Sequence, residues 1–359
     1  MRYYSLRSII DPSRDVDTKF DTEELQMVKH PGRRDIGRIP IRSNGRPNNF
    51  GIIISELDRI FPSLYVKTRG AQTPALTNTN QERTIAWYID GSVSFTLKEN
   101  LPENSGFSIQ PQHHHDGLWI SKPSSLYIGS GGLIKIGSKE ELIPRGREKY
   151  GIHYVDSWVL QPLITDLLFW GRQRVKFDLR FHVVLYSIDN NINALLCQMG
   201  VARKCVNPHD VRDPTSLITN ISAQEQLKGY NQDINVPLVL DDAGIVETIM
   251  NDLSIRTKGK LKLDARKKHQ IILLGLDIMF SSDGQPILIE VNDGPTLDLD
   301  DQGSLWFLTY QTIYGIFGQL IPSLLKGEDV DVDEMPLWKK IDFHTDVESV
   351  SEDPRSTRR

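Results

Sequence analysis

Two apolar runs, Ile271 to Phe280 and Pro286 to Val291, flank the tetrapeptide Ser281-Ser282-Asp283-Gly284. An Asp-Gly step between apolar runs is the strongest short-range signal for a β-hairpin, because the tight turn needs residues that tolerate positive φ. With Asp283-Gly284 as a two-residue loop, Asp277 lies directly opposite Glu290 and Asn292 follows two residues on. Side chains alternate across a strand with period two, so all three share one face. A symmetric four-residue loop keeps that parity, and only a bulge breaks it.

Two carboxylates opposed across a sheet repel each other unless a cation lies between them. Asp277, Glu290 and the Asn292 amide carbonyl form a hard oxygen set with no Cys or His nearby. Such a set suits Mg²⁺ or Mn²⁺ rather than Zn²⁺, and Mg²⁺ commonly takes one or two carboxylates together with substrate phosphates. The competing reading, acidic residues that merely face water, fits poorly with strands this apolar.

Two more segments carry charge where the pattern is otherwise apolar. In the run Leu118 to Ser121 alternation puts Ile120 and Lys122 on one face, and a lysine closing an apolar strand needs an anion or an exit to water. Gly129, Gly131 and Gly132 follow, permitting close approach of backbone N–H groups to phosphate oxygens. The segment has no GxxxxGK[ST] motif, and Ile134 occupies the third position of GxGxxG, so alone it reads equally as a turn. Further on, Lys176, Asp178 and Arg180 alternate with Phe177, Leu179 and Phe181, which makes a strand with one polar and one core face. That polar face either meets a ligand or forms a plain ion-pair ladder.

In order along the chain, Trp119-Ile120-Ser121-Lys122-Pro123 with Gly129 to Ile134, Leu160-Gln161-Pro162-Leu163-Ile164, Lys176-Phe177-Asp178-Leu179-Arg180, Leu217-Ile218-Thr219-Asn220 and Asp277 to Leu297 resemble successive elements of the tubulin tyrosine ligase-like family, a branch of the ATP-grasp ligases. The resemblance covers roughly Leu118 to Leu297, and five ordered matches are far more specific than any one. It implies an α+β ATP-grasp fold, with the nucleotide held between two sheet-bearing subdomains. It also implies ATP and Mg²⁺ (or Mn²⁺) as cofactors. Residue by residue, it implies metal ligands at Asp277, Glu290 and Asn292, and phosphate contacts from Lys122, Gly129 and Gly131. Gln161 falls on the adenine side, and Lys176, Asp178, Thr219 and Asn220 elsewhere in the nucleotide site. Arg180 and Arg203 become the catalytic cations at the transferred phosphate. Two departures bear on the substrate: Leu217 stands where a histidine is usual, and Asp293-Gly294-Pro295 where Ala-Ser-Pro is common.

Composition agrees with a folded enzyme, at 39% hydrophobic and 25% charged residues in 359. Two cysteines, Cys197 and Cys205, make neither a disulfide framework nor a ligand cluster, which favours a reducing compartment. Without a membrane-length apolar run or a signal-peptide core, a soluble cytoplasmic protein is expected. Ten acidic residues against five basic ones from Gly327 onward account for the whole net charge of −5. The balanced remainder offers neither a nucleic-acid footprint nor a membrane patch. That acidic end reads as mostly disordered or loosely docked, with Trp338 anchoring its start.

Three regions follow: a small N-terminal subdomain over 1–110, an ATP-grasp core over 111–326 and the acidic tail over 327–359. Within them, Trp158 to Leu168, Val175 to Ile188 and Ala194 to Ala202 read as strands, and Leu240 to Leu253 and Gln302 to Leu325 as helices. Phe50 to Leu64 suggests a strand or short helix, and Gln81 to Tyr88 a helix. His113-His114-His115 reads as a solvent loop, since three consecutive histidines cannot converge on one ion. Arg256 to Lys268, with seven basic residues, reads as a solvated face or as a surface that draws in an acidic peptide.

The expected activity is ATP-dependent ligation of a free amino acid to a protein or peptide acceptor, an acidic tubulin tail among them, through an acyl phosphate. A catalytically silent nucleotide-binding scaffold and an ATP-grasp ligase for a small metabolite are the alternatives. Acceptor identity and oligomeric state are not legible.

Overall fold

A computed structural model describes residues 117–123, 134–142, 148–150, 153–155, 158–188, 191–230, 235–257, 269–293, 306–335 and 337–341, the single residues 295, 297 and 343, and, in the first ninety residues, 4–6, 9, 39–41, 65–67, 75–77 and 84–88. The early strands are β1 (Tyr4–Ser5), β2 (Ile39–Ile41), β3 (Tyr65–Lys67), β4 (Ala75–Thr77) and β5 (Thr84–Tyr88). A small antiparallel sheet contains β6 (Trp119–Pro123), β7 (Lys135–Gly137) and, after the hairpin of β8 (Glu148–Tyr150) and β9 (His153–Val155), β10 (Trp158–Pro162). The body of the molecule is built from β11 (Val175–Ile188), β12 (Asn191–Pro208), β13 (Asn235–Val239), α1 (Ala243–Thr257), β14 (His269–Phe280) and β15 (Pro286–Asp293). Helices α2 (Trp306–Ile313) and α3 (Ile321–Lys326), joined by a π-helical stretch Tyr314–Leu320, and strand β16 (Trp338–Ile341) complete it.

Among the described residues the large sheet runs β1-β13-β12-β11-β14-β5-β4-β2-β3, with β15 also paired to β14 and β16 to β12. Its centre, β12-β11-β14-β15, is antiparallel. Alternation divides β11 as the sequence requires: Phe177, Leu179, Phe181, Val183 and Leu185 enter one core with Val246, Ile249, Met250 and Leu253 of α1. Val184 and Tyr186 enter another, under α2, the π-helical stretch and α3. Asp178, Arg180 and His182 share the parity of Val184 and Tyr186, so one face of the sheet is apolar beneath the helices and polar beyond them. A mixed α+β architecture dominated by antiparallel sheet results.

Several elements differ from the sequence reading. The strand expected over Trp158 to Leu168 ends at Pro162, which has no N–H to continue the pairing. The chain then crosses to the hairpin, where Ile164 and Leu167 pack on Met279 and Ile287. Residues Thr84–Tyr88, expected as helix, form β5 in parallel register with β14 from His269 to Ile272, as the β-branched and aromatic content of Thr84, Ile85, Trp87 and Tyr88 favours. Strands from the first ninety residues therefore extend the central sheet. The expected element over Phe50 to Leu64, His113 to His115, and Lys258 to Lys268 lie outside the described residues.

Beyond Lys326 the chain contributes structure before residue 343. Trp338–Ile341 pair with Cys197–Ala194 of β12, and Trp338 is buried against Gly315 of the π-helical stretch. Asp329 fastens this segment further: it accepts from the Tyr186 hydroxyl at 2.6 Å and from Lys340. Burial works against its ionisation, yet the hydrogen bonds from Lys340 and Tyr186 hold its pKa below the usual range. The region from residue 327 thus begins against the core, anchored at Trp338 as the sequence suggested. Replacing Trp338 by Ala should cost about 3–5 kcal/mol, as deletion of a buried aromatic does, and denaturant unfolding will read it. A midpoint equal to wild type would show that β16 adds nothing to the fold.

Candidate functional site

The hairpin of β14 and β15 reaches the expected register by an unexpected route. Near the turn Phe280 pairs with Pro286, Met279 with Ile287 and Ile278 with Leu288. The Ser281 N–H donates to the Gln285 carbonyl at 3.0 Å and the Gly284 N–H to the Ser281 carbonyl at 2.8 Å, with Gly284 at φ 83°. The loop is thus an odd, three-residue one, Ser282 to Gly284, which shifts the register by one. A bulge at Ile289 shifts it back, so that Asp277 faces Glu290 and Gly275 faces Asn292. Loop and bulge cancel, and the three oxygen-bearing side chains share a face.

Neighbouring strands add the cations. Arg180 of β11 stands opposite Asp277, and Arg203 of β12 opposite Asp178. Arg203 grips Asp178 with both arms, Nε to Oδ1 at 2.7 Å and Nη2 to Oδ2 at 2.6 Å, and its Nη2 also lies 3.1 Å from Asp277 Oδ1. Arg180 donates through Nε to Asp277 Oδ1 and through Nη2 to Oδ2 at 2.8 Å. Asn292 Nδ2 lies 3.4 Å from Asp277 Oδ2, which leaves its amide carbonyl as the remaining polar atom. Arg203, Asp178 and Asp277 are buried, while Arg180, Glu290 and Asn292 are half-buried.

Burial alone would push the Asp277 carboxyl up, but the guanidiniums of Arg180 and Arg203 overcome it and hold its pKa far below the usual carboxylate range. Arg203 is likewise opposed by burial and raised by Asp178 and Asp277. Burial lowers Lys176, against the pull of Cys205 and Asp178. Both cysteine thiols are buried and pushed up to about 12, mainly by desolvation, which favours the protonated thiol at neutral pH.

The segment Leu217–Asn220 is clasped to β11 from below. Lys176 Nζ donates to the Leu217 carbonyl, and the Thr219 hydroxyl donates to Asp178 Oδ2. Leu217 is buried and serves through its backbone, so the missing histidine side chain leaves this clasp in place. Asn220 is exposed, and its carbonyl accepts the N–H groups of Ala223 and Gln224 at the start of a short helical turn.

Seven expected residues thus gather in one network: Lys176, Asp178, Arg180, Arg203, Thr219, Asp277 and Asn292, with Glu290 opposite Asp277. Lys122 sits on β6 opposite Val159, and half-buried Gln161 on β10 opposite Ile120, in the small sheet. Gly129 and Gly131 lie outside the described residues. Gly275 and His182, which the sequence did not single out, belong to the same floor. A Cβ on Gly275 would meet Pro295 at 2.8 Å and Arg180 Cδ at 3.4 Å, so only glycine lets both lie there. Its place opposite Asn292 is the signal that could have found it.

The profile of the tubulin-tyrosine ligase family matches residues 61–240 of this sequence. The chain belongs to that family. Among curated proteins it is 24% identical over 219 residues to tubulin polyglutamylase ttll-11 of Caenorhabditis elegans, covering 51% of this chain and 29% of that protein. It is 24% identical over 231 residues to tubulin polyglutamylase TTLL11 of Mus musculus, covering 53% and 29%. The match therefore spans under a third of the length of these relatives. The family match takes in Asp178, Arg180, Arg203 and Thr219 and ends before the hairpin, whose residues stand on their own geometry.

The folded pKa of Asp277 lies below its unfolded value of about 3.9, so the ionised group stabilises the protein above that value. This contribution is lost as pH falls through the depressed folded pKa. Asp277→Asn should therefore be less stable than wild type at neutral pH, with the gap narrowing below about pH 4. Chemical denaturation across pH measures this, and a gap that does not change with pH would contradict the assignment.

Proposed function

We propose that this chain is an ATP- and Mg²⁺-dependent ligase that joins an amino acid to a protein or peptide acceptor through an amide bond. The observation that carries the reading is the Arg180–Asp277–Arg203–Asp178 network, set beside Glu290 and Asn292 on the polar face of the sheet in a chain of this family. The fold supports an ATP-grasp arrangement, with the nucleotide between the small sheet of β6, β7 and β10 and the large one.

Asp277, Glu290 and Asn292 fit a hard divalent ion by the chemistry of their donors: two carboxylates and an amide oxygen on one face, with no thiolate or imidazole required. Asp277 keeps acceptor capacity beyond its arginine contacts, since a carboxylate offers about four lone-pair sites. When bound, Mg²⁺ or Mn²⁺ neutralises phosphate charge and orients the γ-phosphoryl group. Lys122, with the backbone at Gly129 and Gly131, binds the phosphates, and Gln161 lies on the adenine side. Lys176, Asp178, Thr219 and Asn220 line the rest of the nucleotide site.

The reaction has two displacements. An acceptor carboxylate oxygen attacks the γ-phosphorus as ADP leaves, and the amine nitrogen then attacks the acyl carbon as phosphate leaves and the amine loses its proton. Arg180 and Arg203 stabilise the charge that develops on the transferred phosphoryl oxygens, and their carboxylate partners fix both guanidiniums before reaction. Little covalent work falls to the protein, so positioning and preset charge supply the rate.

The names of the relatives, tubulin polyglutamylases, point to tubulin as the acceptor and glutamate as the amino acid. Incubating the chain with ATP, Mg²⁺, tubulin and glutamate, with mass spectrometry of the tubulin tails, tests this directly. Nucleotide binding without turnover on any acceptor would favour a silent scaffold, a reading that the Leu217 and Asp293-Gly294 departures support. Glu290→Gln should abolish turnover with an unchanged melting temperature, because it removes one charge at little steric cost. Near-normal activity of that variant at saturating Mg²⁺ would remove the hairpin from the mechanism. Lys122→Ala should weaken ATP binding far more than it lowers the melting temperature measured without nucleotide.

A further inference from the structure

At His182 the central sheet loses its regular pairing on one side. Phe181 pairs with Gly200 of β12, but the next pair is Val183 with Leu196, so Cys197, Gln198 and Met199 stand against His182 alone. The backbone of Gln198 has turned elsewhere: its N–H donates to the Leu337 carbonyl and its carbonyl accepts from the Leu240 N–H, both at 2.8 Å. A bulge of this kind locally disrupts the ladder between β12 and β11, and such bulges re-aim nearby side chains. The residue two positions along the same face is Arg180.

His182 has a different anchor. Its ring is buried, and Nδ1 lies 2.7 Å from the Thr312 hydroxyl of α2. That hydroxyl has one proton, and it donates it to the Leu308 carbonyl at 2.8 Å. The hydroxyl, itself seated on the Leu308 carbonyl, ties the His182 ring to α2. Burial, reinforced by the Arg180 charge, pushes the imidazole down to about 3, so it brings no second cation to Asp277. On the other side His182 stays in register with Gly275, the residue whose missing side chain makes room for the Arg180 stem.

We infer that His182 and Thr312 form a positioning pair for Arg180: where the β12 ladder is irregular, their hydrogen bond holds β11 to α2, so that the guanidinium stays aligned on Asp277. This role rests on the ligase reading for its effect on rate, but not for its effect on Arg180 itself. Neither residue touches the reacting atoms.

Thr312→Val keeps the shape and removes the hydroxyl, and Thr312→Ser restores it. In Thr312→Val, solvent exchange of the Arg180 Nε–H, followed by NMR of arginine-labelled protein, should speed up while that of Arg203, anchored on Asp178, stays slow. The kcat should fall about ten- to a hundredfold, the scale of loss from a small misplacement at a reacting centre, with KM for ATP unchanged and Thr312→Ser close to wild type. Equal loosening of both arginines, or a kcat loss that only follows a lower melting temperature, would reduce the pair to a general packing contact and overturn the inference. Unchanged Arg180 exchange would overturn it as well. If wild type forms no amide product, the proposed function falls, and the exchange comparison still decides this point.

Discussion

The chain Arg180–Asp277–Arg203–Asp178 is the interaction on which the site depends. Each inner member is shared: Asp277 accepts from two guanidiniums and Arg203 bridges two carboxylates. Burying four charges is expensive, and apolar replacements of similar shape are often as stable or more so. Stability alone therefore does not account for the network. What it provides is a set of fixed cations and anions in a place where solvent cannot reorganise around them, the condition under which charge does most for a transition state. The same burial makes the network intolerant of partial loss. Removing one member of a buried pair leaves its partner uncompensated at a cost of about 3–5 kcal/mol.

Two bulges bracket this network. One, at Ile289, brings Glu290 and Asn292 to the face of Asp277; the other, opposite His182, interrupts β12 between Arg203 and the apolar part of the sheet. Between them the face changes character, from Val184 and Tyr186 under the helices to Arg180 and Asp178 beyond them. The sheet is thus a rigid core at one end and a charged floor at the other, with β11 common to both. Rigid elements hold a constellation more precisely than loops can. Here every charged member of the network lies on a strand, and loops supply only Thr219 and the Leu217 carbonyl.

Much of this was legible from alternation. The polar face of Lys176, Asp178 and Arg180, and the opposition of Asp277 to Glu290, follow from period two and hydrophobic runs, signals that need only local sequence. The three-residue loop and the bulge at Ile289 were not legible, because each depends on the conformation of one or two residues and their effects cancel. Thr84–Tyr88 looked helical in isolation, for its partner β14 lies far along the chain and parallel pairing leaves no turn between them. At the other end Trp338 anchors the acidic segment as the sequence suggested, and the Tyr186–Asp329 bond, which composition could not show, seats β16 further. His182 was invisible as a site residue, since a single histidine in an apolar run reads as core, and only its place beside a bulge gives it a task.

The family match and the hairpin meet at a single physical seam. Asp178, Arg180, Arg203 and Thr219 fall within the matched residues, whereas Asp277, Glu290 and Asn292 follow it. Across β11 and β14 the two parts are not independent: without Asp277, Arg180 would lose its carboxylate and Arg203 one of its two. Without those arginines, Asp277 would be a buried anion facing half-buried Glu290, with neither guanidinium to hold it ionised. In this chain the two arginines on this face are balanced by Asp277 together with Asp178. On that ground the hairpin is tied electrostatically to the matched stretch, although the family match itself ends at residue 240.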